Sequence, residues 1–406
     1  MIPALRPYQL VGRDFLATHI HALLADEMRV GKTPQAILAA VKLGFSRVLV
    51  LCPAIATQQW VGEWQRWANL PAVVYAGGPV PDGIVVASYS MVQRHVSHFN
   101  SVVWELMIVD ECHNAKNPNA GRTRMIYGKS GLGWRAGRIW ALSGTPAPNH
   151  AGELWPMLRA FGAVGATYGE FTRRFCTIDM LGRVHGTKTK HIPELRKLLE
   201  PIMLRRLRKD VAPELPAIDY NFLELSLIDA GSAWVSIPDN ATDPLQYQDE
   251  RALAAMAKAP KLAQQVATDL ENGMQQTVVF GHFKGPLALI RDYLSAEGFA
   301  AEVVNGETPA SLKQEHVHRF QTGEIRVLCA NILTAGTAVD LSAADHGYFL
   351  ELDWVPGNNA QAASRLLAIG KATPVSMDIA NWSGGPDAKI IRALARKTRE
   401  LSELFN

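Results

Sequence analysis

The segment 26–33, near the N-terminus, has residue types that bind phosphate at the spacing this chemistry needs. It reads Asp-Glu-Met-Arg-Val-Gly-Lys-Thr, follows the apolar run 22–25 and precedes a helical pattern. A strand, a tight loop and a helix in this order direct backbone N–H groups and a helix N-terminus at a phosphate. Lys32 would then contact the β- and γ-phosphates, and the Thr33 hydroxyl would contact Mg²⁺. Because Asp26 replaces the usual first glycine, the segment alone fits an ordinary surface turn equally well.

A second candidate site is the acidic pair Asp110 and Glu111, which follows the apolar run 106–109. At the carboxyl end of a parallel strand, such a pair faces the crevice where ligands bind. The first acid could hold the Mg²⁺ shell and the second could polarise an attacking water. An acidic pair after a strand is usually only a surface turn. Here the phosphate-binding pattern on an earlier strand favours the catalytic interpretation.

The elements that must position these residues alternate in the order of an α/β fold. The strand candidates of the N-terminal half are near-continuous Val, Ile and Leu runs, which is typical of parallel strands buried on both faces. They lie at 47–51, 73–75, 84–87, 106–109 and 138–142, and helical patterns lie at 8–22, 34–43 and 57–68. In the last helix, Trp60, Trp64 and Trp67 have the spacing of a face packed into the core. We therefore expect a doubly wound, parallel-sheet domain.

The rest of the chain divides into a basic segment and a second α/β half. Residues 152–216 have helical patterns, and within them 171–210 hold eleven Lys and Arg against four acids, a net charge of +7. This basic segment is either a solvated face or a surface that contacts phosphate backbones. The α/β alternation resumes later, with strand candidates at 277–280, 301–304, 326–330 and 347–352 and helices near 253–272, 286–297, 310–320 and from 387. We expect a first domain at 1–216 with a helical, basic insertion at 152–216, a linker at 217–250 and a second domain at 251–406.

The composition limits the possible classes of protein. The 406 residues are 48% hydrophobic and 19% charged, with a net charge of +3, as in ordinary globular proteins. No run is long enough to cross a bilayer, and the N-terminus lacks the features of a signal peptide. The four cysteines form no CxxC pair, so neither a zinc site nor a disulfide framework is indicated. These features predict a cytoplasmic protein.

The order of the motifs resembles helicase superfamily two. The loop 26–33, Asp-Glu-Cys-His at 110–113 and Leu-Ser-Gly-Thr-Pro at 142–146 occur in the order of that superfamily. Further motifs resemble its SWI/SNF-type branch, and most of all its annealing-helicase subgroup and compact phage and bacterial relatives. These motifs are Leu-Arg-Pro-Tyr-Gln at 5–9, Asn-Ala-Lys-Asn at 114–117, Glu-Leu-Trp at 153–155, Arg-Phe-Cys at 174–176, and the segments 201–211 and 351–357. The resemblance extends over nearly the whole chain.

This resemblance implies two tandem RecA-like parallel-sheet domains with a small helical basic insertion. It implies a DNA-dependent ATPase that uses ATP and Mg²⁺ as cofactors and moves along double-stranded or forked DNA through phosphate contacts. We expect a monomer in the cytoplasm of a bacterial or phage-infected cell. ATP would bind between the two domains, and the protein would remodel or reanneal DNA rather than unwind it processively.

The resemblance also assigns roles to residues at matching motif positions. Nucleotide binding is expected of the adenine-reading Gln9 together with Arg6, Asp26, Met28, Arg29, Val30, Gly31, Lys32 and Thr33. Catalysis is expected of Lys32, Asp110, Glu111 and Arg365, and Mg²⁺ would be held by Thr33 and Asp110, largely through water. Ser143 and Thr145 would couple the nucleotide site to DNA. DNA contacts are expected of Ser88, Tyr89, Lys116, Arg205, Arg206, Lys284, Thr334 and Gly336.

The last motif departs from the family pattern. Arg365 is present, but Ala368 stands where a second arginine is expected to point at the ATP phosphates. An arginine finger contributes roughly 10³–10⁵ to turnover, so hydrolysis would suffer unless Arg365 or Lys371 substitutes. One alternative is therefore a nucleotide-gated DNA-binding module with weak or no ATP hydrolysis. Another is a strand-separating DNA or RNA helicase, which the SWI/SNF-type features between 153 and 211 oppose.

Overall fold

The computed structural model describes residues 3–213, 216–225, 247–336, 339–368, 371, 373–382 and 385–405. The chain forms two compact units, residues 1–212 together with 399–406, and residues 213–398. The expected linker lies partly outside the described residues, because 226–246 are not among them. None of the described helices is both long and apolar enough to span a membrane.

The first unit is built on a parallel sheet of seven strands among its described residues, in the order β3-β4-β2-β5-β6-β1-β9. Every residue of β2, β4 and β6 is buried, as the Val, Ile and Leu runs predict. The strands of this unit are β1 (His21–Leu24), β2 (Val48–Cys52), β3 (Ala72–Val74), β4 (Ile84–Ser88), β5 (Leu106–Asp110), β6 (Ile139–Leu142), β7 (Cys176–Ile178), β8 (Val184–Thr187) and β9 (Met203–Leu204).

Helices cover this sheet and close its core. Trp60 and Trp64 are 2% and 0% exposed, which confirms the predicted core face for these two residues, whereas Trp67 is only partly buried. The helices of this unit are α1 (Pro7–Thr18), α2 (Lys32–Lys42), α3 (Thr57–Ala68), α4 (Tyr89–Arg94), α5 (Val96–Asn100), α6 (Gly121–Tyr127), α7 (Trp155–Ala160), α8 (Tyr168–Phe175), α9 (Ile192–Leu199) and α10 (Arg208–Val211).

The basic segment contains the expected helices α7 to α10 and also three strands that the sequence did not predict. The strands β7 and β8 form an antiparallel hairpin, and β9 joins the edge of the main sheet by pairing with β1. These strands are two to four residues long, which is too short for a periodic pattern to indicate them. The pairing of β9 brings the residues that follow it beside the loop 26–33.

The second unit is also built on a parallel sheet, with described strands in the order β10-β15-β14-β11-β13-β12. Two parallel-sheet α/β units thus confirm the predicted fold class. The strand β15 was not predicted, because polar residues interrupt its apolar ones. The strands are β10 (Ile218–Glu224), β11 (Thr277–Gly281), β12 (Ala301–Val304), β13 (Val327–Asn331), β14 (His346–Phe349) and β15 (Val375–Asn381). The helices are α11 (Gln248–Glu271), α12 (Lys284–Ala296), α13 (Ala310–Gln321), α14 (Ile332–Ala335), α15 (Pro356–Ser364) and α16 (Asp387–Phe405).

Candidate active site

Three neighbouring strands of the first sheet bring the predicted catalytic segments to one edge. In the order β5-β6-β1, β5 ends at Asp110, β6 leads into 143–145, and β1 leads into the loop 26–33. All three strands are parallel, so their carboxyl ends lie together, where open α/β sheets bind ligands. Segments more than 100 residues apart in sequence therefore meet at one edge.

The loop 26–33 connects β1 to α2 through two residues in the left-handed region. Arg29 has a φ of 66° and Gly31 a φ of 84°, so the backbone turns sharply before the helix begins at Lys32. A Cβ atom at Gly31 would lie 2.4 Å from Nε2 of Gln9, so glycine is required there. The N-terminus of α2, with its N–H groups lacking intrahelical partners, is thereby presented at the sheet edge.

Lys32 folds back over its own loop. Its Nζ donates hydrogen bonds to the carbonyl oxygens of Asp26 (2.9 Å) and Glu27 (3.2 Å). Burial lowers the pKa of Lys32, and the nearby carboxylates of Glu111, Asp26 and Asp110 act in the opposite direction. Both partners of the ammonium are neutral carbonyl oxygens. Charged phosphate oxygens would be stronger acceptors for it.

Gln9 is buried against the same loop. Its Oε1 accepts from the backbone N–H of Arg6 (3.0 Å), and its Nε2 donates to the carbonyl oxygen of Val30 (3.2 Å). The carboxamide is thus fixed between the start of α1 and the phosphate-binding loop. Its expected role in reading adenine stays a prediction.

The acidic pair ends β5 in an unusual backbone conformation. Glu111 has a φ of 48°, and its N–H donates to Oδ1 of Asp110 (3.0 Å). The indole N–H of Trp60 donates to Oδ2 of Asp110 (2.8 Å), and the hydroxyl of Tyr89 donates to the carbonyl oxygen of Asp110. Burial, together with the charge of Glu111, raises the pKa of Asp110 to about 6. A cation at this position would favour the ionised carboxylate.

A chain of polar contacts connects the acids to the segment 143–145. Nδ1 of His113 lies 3.4 Å from Oε2 of Glu111 and 2.9 Å from Oγ of Ser143. That oxygen also accepts from the backbone N–H of Thr145 (3.0 Å). Burial lowers the pKa of His113 to about 4, so its imidazole is neutral at neutral pH. A Cβ atom on Gly144 would lie 3.5 Å from Nζ of Lys32, so this segment also touches the phosphate-binding loop.

Arg205 and Arg206 hold the phosphate-binding loop from within the first unit. Nε of Arg206 donates to Oδ1 of Asp26 (2.9 Å), whose side chain is fully buried. Nη1 of Arg205 donates to the carbonyl oxygens of Ala25 (2.9 Å) and Gly144 (3.2 Å). Both guanidinium groups thus have partners inside the unit, and their expected contacts with DNA stay a prediction. The carboxylate of Asp26 also accepts from Nε2 of Gln35 (3.3 Å), and its expected part in nucleotide binding stays a prediction.

The remaining DNA-contact candidates lie in varied surroundings. Tyr89 is 3% exposed, and Oγ of Ser88 accepts from the N–H of Met91 (3.2 Å) as the N-cap of α4. Nζ of Lys116 lies 2.8 Å from Oε1 of Glu153. In the second unit Lys284 is exposed and pairs with Glu307, Thr334 lies in α14, and the carbonyl oxygen of Gly336 accepts from Arg365. Tyr89 is the most buried of the candidates in the first unit, and for all of them the role stays a prediction.

Lys371 is not available as a substitute for the missing arginine. Its Nζ donates to the carbonyl oxygens of Ser342 (2.9 Å), Ala344 (2.6 Å) and Leu366 (3.0 Å). It also lies 2.7 Å from Oδ1 of Asp345, and its side chain is 9% exposed. Lys371 therefore stabilises the second unit from inside. Ala368 contributes only a methyl group.

Comparison with known proteins identifies the family. Residues 8–234 match the SNF2-related domain, and residues 257–370 match the helicase conserved C-terminal domain. The first match covers more than half of the chain. The chain belongs to the SNF2-related domain family. This membership confirms the resemblance to the SWI/SNF-type branch and the expected pair of RecA-like domains.

Several curated members of this family resemble nearly the whole chain. It is 28% identical over 432 residues to the SWI/SNF-related matrix-associated actin-dependent regulator of chromatin subfamily A-like protein 1 of Bos taurus, covering 99% of this chain and 45% of that protein. It is 26% identical over 440 residues to the DNA annealing helicase and endonuclease ZRANB3 of Bos taurus, covering 99% and 40%. The chromodomain-helicase-DNA-binding protein 1-like of Danio rerio is 24% identical over 456 residues, covering 98% and 42%. The chain thus spans less than half the length of these relatives.

Among solved structures, the SWI2/SNF2 ATPase core of Sulfolobus solfataricus in complex with dsDNA superimposes with a TM-score of 0.47 at 20% sequence identity. The alignment covers 99% of this chain and 94% of that one.

Proposed function

We propose that this chain is an ATP-driven translocase on double-stranded DNA, which remodels or reanneals strands without reading their sequence. The observation that carries this proposal is the meeting of the loop 26–33, the pair Asp110 and Glu111, and the segment 143–145 at one sheet edge. Together they supply a phosphate site, two acids and a link between them. Membership of the SNF2-related domain family supports DNA as the partner.

ATP and Mg²⁺ are the proposed cofactors, and the residues fit them. Lys32 and the N-terminus of α2 would hold the phosphates, and the hydroxyl of Thr33 and carboxylate of Asp110 would offer two oxygens for the metal. In the described part of the chain, no group of three or more His, Cys, Asp or Glu could hold a metal ion alone. Mg²⁺ is usually bound by one or two carboxylates plus substrate phosphates. A site with few protein ligands therefore fits an Mg²⁺ ion that binds together with ATP. When bound, ATP supplies the phosphoryl group that is transferred to water.

The residues of the chain have distinct proposed roles in hydrolysis. Glu111 would orient and polarise the attacking water. Neutral His113, which contacts both Glu111 and Ser143, would hold Glu111 in position. Trp60 and Tyr89 would hold Asp110 in place through the carboxylate and the carbonyl oxygen. From the second unit, Arg365 is the candidate for stabilising charge on the transferring phosphoryl group. These roles use each group in the protonation state that its surroundings favour, with Asp110 ionised once a cation is present.

DNA contacts in this proposal are made mostly to phosphates by a monomer. Binding would then be independent of sequence and would weaken steeply with salt. Lys284, exposed at the start of α12, is the accessible candidate among the predicted contacts.

Steady-state ATP turnover with duplex, forked and single-stranded DNA tests the proposal, with Lys32→Ala as the control. We expect duplex or forked DNA to stimulate turnover well above that of the control. Turnover equal to that of Lys32→Ala under all conditions would refute the motor. Stimulation by RNA or single strands but not by duplex would instead favour a strand-separating or RNA helicase.

A second candidate function is a nucleotide-gated DNA-binding module with weak or no hydrolysis. It is favoured by Ala368 and by the internal partners of Lys371, which leave Arg365 as the remaining substitute that the sequence suggested for the second arginine. Ala368→Arg separates the two candidates, because a restored arginine should raise turnover in a weak ATPase without changing nucleotide affinity much. Unchanged turnover with wild-type activity already high would favour the translocase.

A further inference from the structure

A groove of about 830 Å³ lies on the first unit, and none of its lining residues belongs to the nucleotide site. Its walls are α6, a 3₁₀ turn at Leu132–Arg135, α7 and the first residue of α8. The lining includes the rings of Trp134, Trp155 and Tyr168. Trp134 is 71% exposed, although tryptophan is highly buried on average.

The two indole rings are held in fixed positions. Nε1 of Trp134 donates to the carbonyl oxygen of Gly128 (3.0 Å), and Nε1 of Trp155 donates to that of Ala166 (2.9 Å). Tyr168 meets Trp155 edge to face, with ring centroids 5.5 Å apart. Because the indole N–H groups are already satisfied, Trp134 offers a partner its apolar faces, and Trp155 offers the face that Arg159 does not cover. A fixed ring loses little conformational entropy when it is covered.

The loop that carries Trp134 packs closely onto α6. A Cβ atom on Gly128 would lie 2.4 Å from the carbonyl oxygen of Arg124, and one on Gly131 would lie 2.7 Å from that of Met125. Both positions therefore require glycine for this close approach. The loop holds Lys129 and Trp134 at one side of the groove.

Cations accompany the rings, and acids do not. The groove is lined by Arg124, Lys129 and Arg159, and by no Asp or Glu. Arg124 and Lys129 are exposed, and within the described part of the chain their side chains have no ion-pair partner. Arg159 lies 5.8 Å from the centroid of the Trp155 ring, and its Nη1 donates to the carbonyl oxygen of Gly165 (2.8 Å). The cations of this groove are complementary to an anionic ligand, and its rings are complementary to flat, apolar parts of that ligand.

We propose that this groove binds single-stranded DNA. Two ring–cation sets, Trp134 with Lys129 and Trp155 with Arg159, match consecutive nucleotides, each of which has one flat base and one charged phosphate. The bases of a duplex are stacked on each other, so they cannot cover these rings. An acidic peptide would satisfy the cations but would not supply a flat ring for each charge. This inference rests on the proposed function, because a DNA translocase that remodels strands exposes unpaired ones.

The test uses the full chain without nucleotide. The probes are fluorescein-labelled oligo(dT) of about 12 nucleotides, a duplex of the same length, and a labelled acidic peptide of matching net charge, each titrated by anisotropy. We expect Trp134→Ala to weaken oligo(dT) binding about ten-fold and to leave duplex binding and duplex-stimulated ATP turnover unchanged. Trp134→Phe, which keeps a ring, should restore most of the loss. Lys129→Gln tests the contribution of the positive charge in the groove. Its charge-matched control is Lys42→Gln, which replaces an exposed lysine on α2.

Two results would overturn the inference. One is oligo(dT) affinity that Trp134→Ala leaves unchanged or lowers no more than duplex affinity. The other is an acidic peptide that binds more tightly than oligo(dT) and loses affinity in Trp134→Ala, which would assign the groove to a protein partner. Since binding is measured without ATP, an inactive ATPase would refute the motor alone, whereas a selective loss of oligo(dT) binding would still support the groove.

Discussion

The strand ends of the two sheets differ in how they use backbone N–H groups. In the first unit, the loop after β1 precedes the N-terminus of α2, where we propose that an external phosphate binds. In the second unit, the loop after β11 is occupied by the protein's own carboxylate: Oε1 of Glu351 accepts from the N–H groups of His282 (2.8 Å) and Phe283 (3.1 Å). Glu351 is 3% exposed. The same strand–loop–helix geometry is thus open to a ligand in one unit and filled in the other.

The difference explains why only one of two similar sheets is a candidate nucleotide site. A strand–loop–helix connection attracts negative charge wherever it occurs. The N–H groups of such a connection can bind a ligand, or they can bind a carboxylate of the protein itself. In the second case they stabilise the folded protein and do not bind a ligand. The same contrast holds for Lys32, whose partners are replaceable carbonyls, and Lys371, whose partners include the carboxylate of Asp345.

The largest expected effect comes from removing the charge in the open loop. Lys32→Ala should lower ATP turnover about 10³-fold, because a preorganised positive donor to the phosphates is lost. DNA-stimulated phosphate release measures it. Lys42→Ala, at the far end of the same helix, is the matched control. Comparable losses in both variants would indicate damage to α2 rather than to phosphate binding.

A second prediction concerns the support of the open loop. Arg206→Ala removes the positive partner of the fully buried Asp26 carboxylate and leaves it only the Nε2 of Gln35 (3.3 Å), which should cost about 3–5 kcal/mol of local stability. Hydrogen exchange of the β1 and β9 amides measures it, since local opening reports the stability of one region. The double variant Asp26→Asn/Arg206→Gln should recover much of the loss. If the double variant lost as much local stability as the two single variants together, the ion-pair explanation would be contradicted.

The filled loop of the second unit gives a smaller prediction. Glu351→Ala leaves two N–H groups without their acceptor and should destabilise the second unit by about 2 kcal/mol. Glu351→Gln, which keeps an amide oxygen as acceptor, should cost less. Hydrogen exchange of β11 and β14 amides measures both. Equal effects of the two substitutions would mean that Glu351 acts through its size and not as an acceptor.

The smallest expected effect is a shift in pH dependence. In the proposed mechanism Asp110 must be ionised to hold Mg²⁺, so kcat/KM should fall as the pH drops through its apparent pKa, which reports the free enzyme. The Trp60 N–H stabilises the ionised form, so Trp60→Phe should move this acidic limb to higher pH by up to about one unit. Trp67→Phe is the control, because the indole of Trp67 bonds to Glu63 (2.7 Å). If the acidic limb of the kcat/KM profile did not move in Trp60→Phe, Trp60 would have no role in setting the pKa of Asp110.

Much of the fold and part of the candidate site could be predicted from the sequence. The buried runs of β2, β4 and β5 are continuous in sequence, so their burial and parallel pairing could be inferred directly. The strands β7, β8 and β9 could not, because they are short and form only through pairing with distant segments. Trp60 was correctly assigned to the core, but nothing in the sequence indicated that its N–H also bonds to Asp110. Arg205 and Arg206 were assigned to DNA contacts by the resemblance, and nothing in the sequence indicated that they also bond to Ala25 and Asp26.

The sequence by itself determined the fold class and predicted the class of chemistry that we propose. Gly31, Lys32 and Thr33 are contiguous, as are Asp110 and Glu111, so residue type and local spacing carry their meaning. Only the tertiary structure decided which charges are satisfied. Arg206 reaches Asp26 across 180 positions, Glu351 reaches His282 across 69 and Trp60 reaches Asp110 across 50. Such pairs depend on which strands are neighbours in a sheet, and strand order is set by packing of the whole domain rather than by any local pattern.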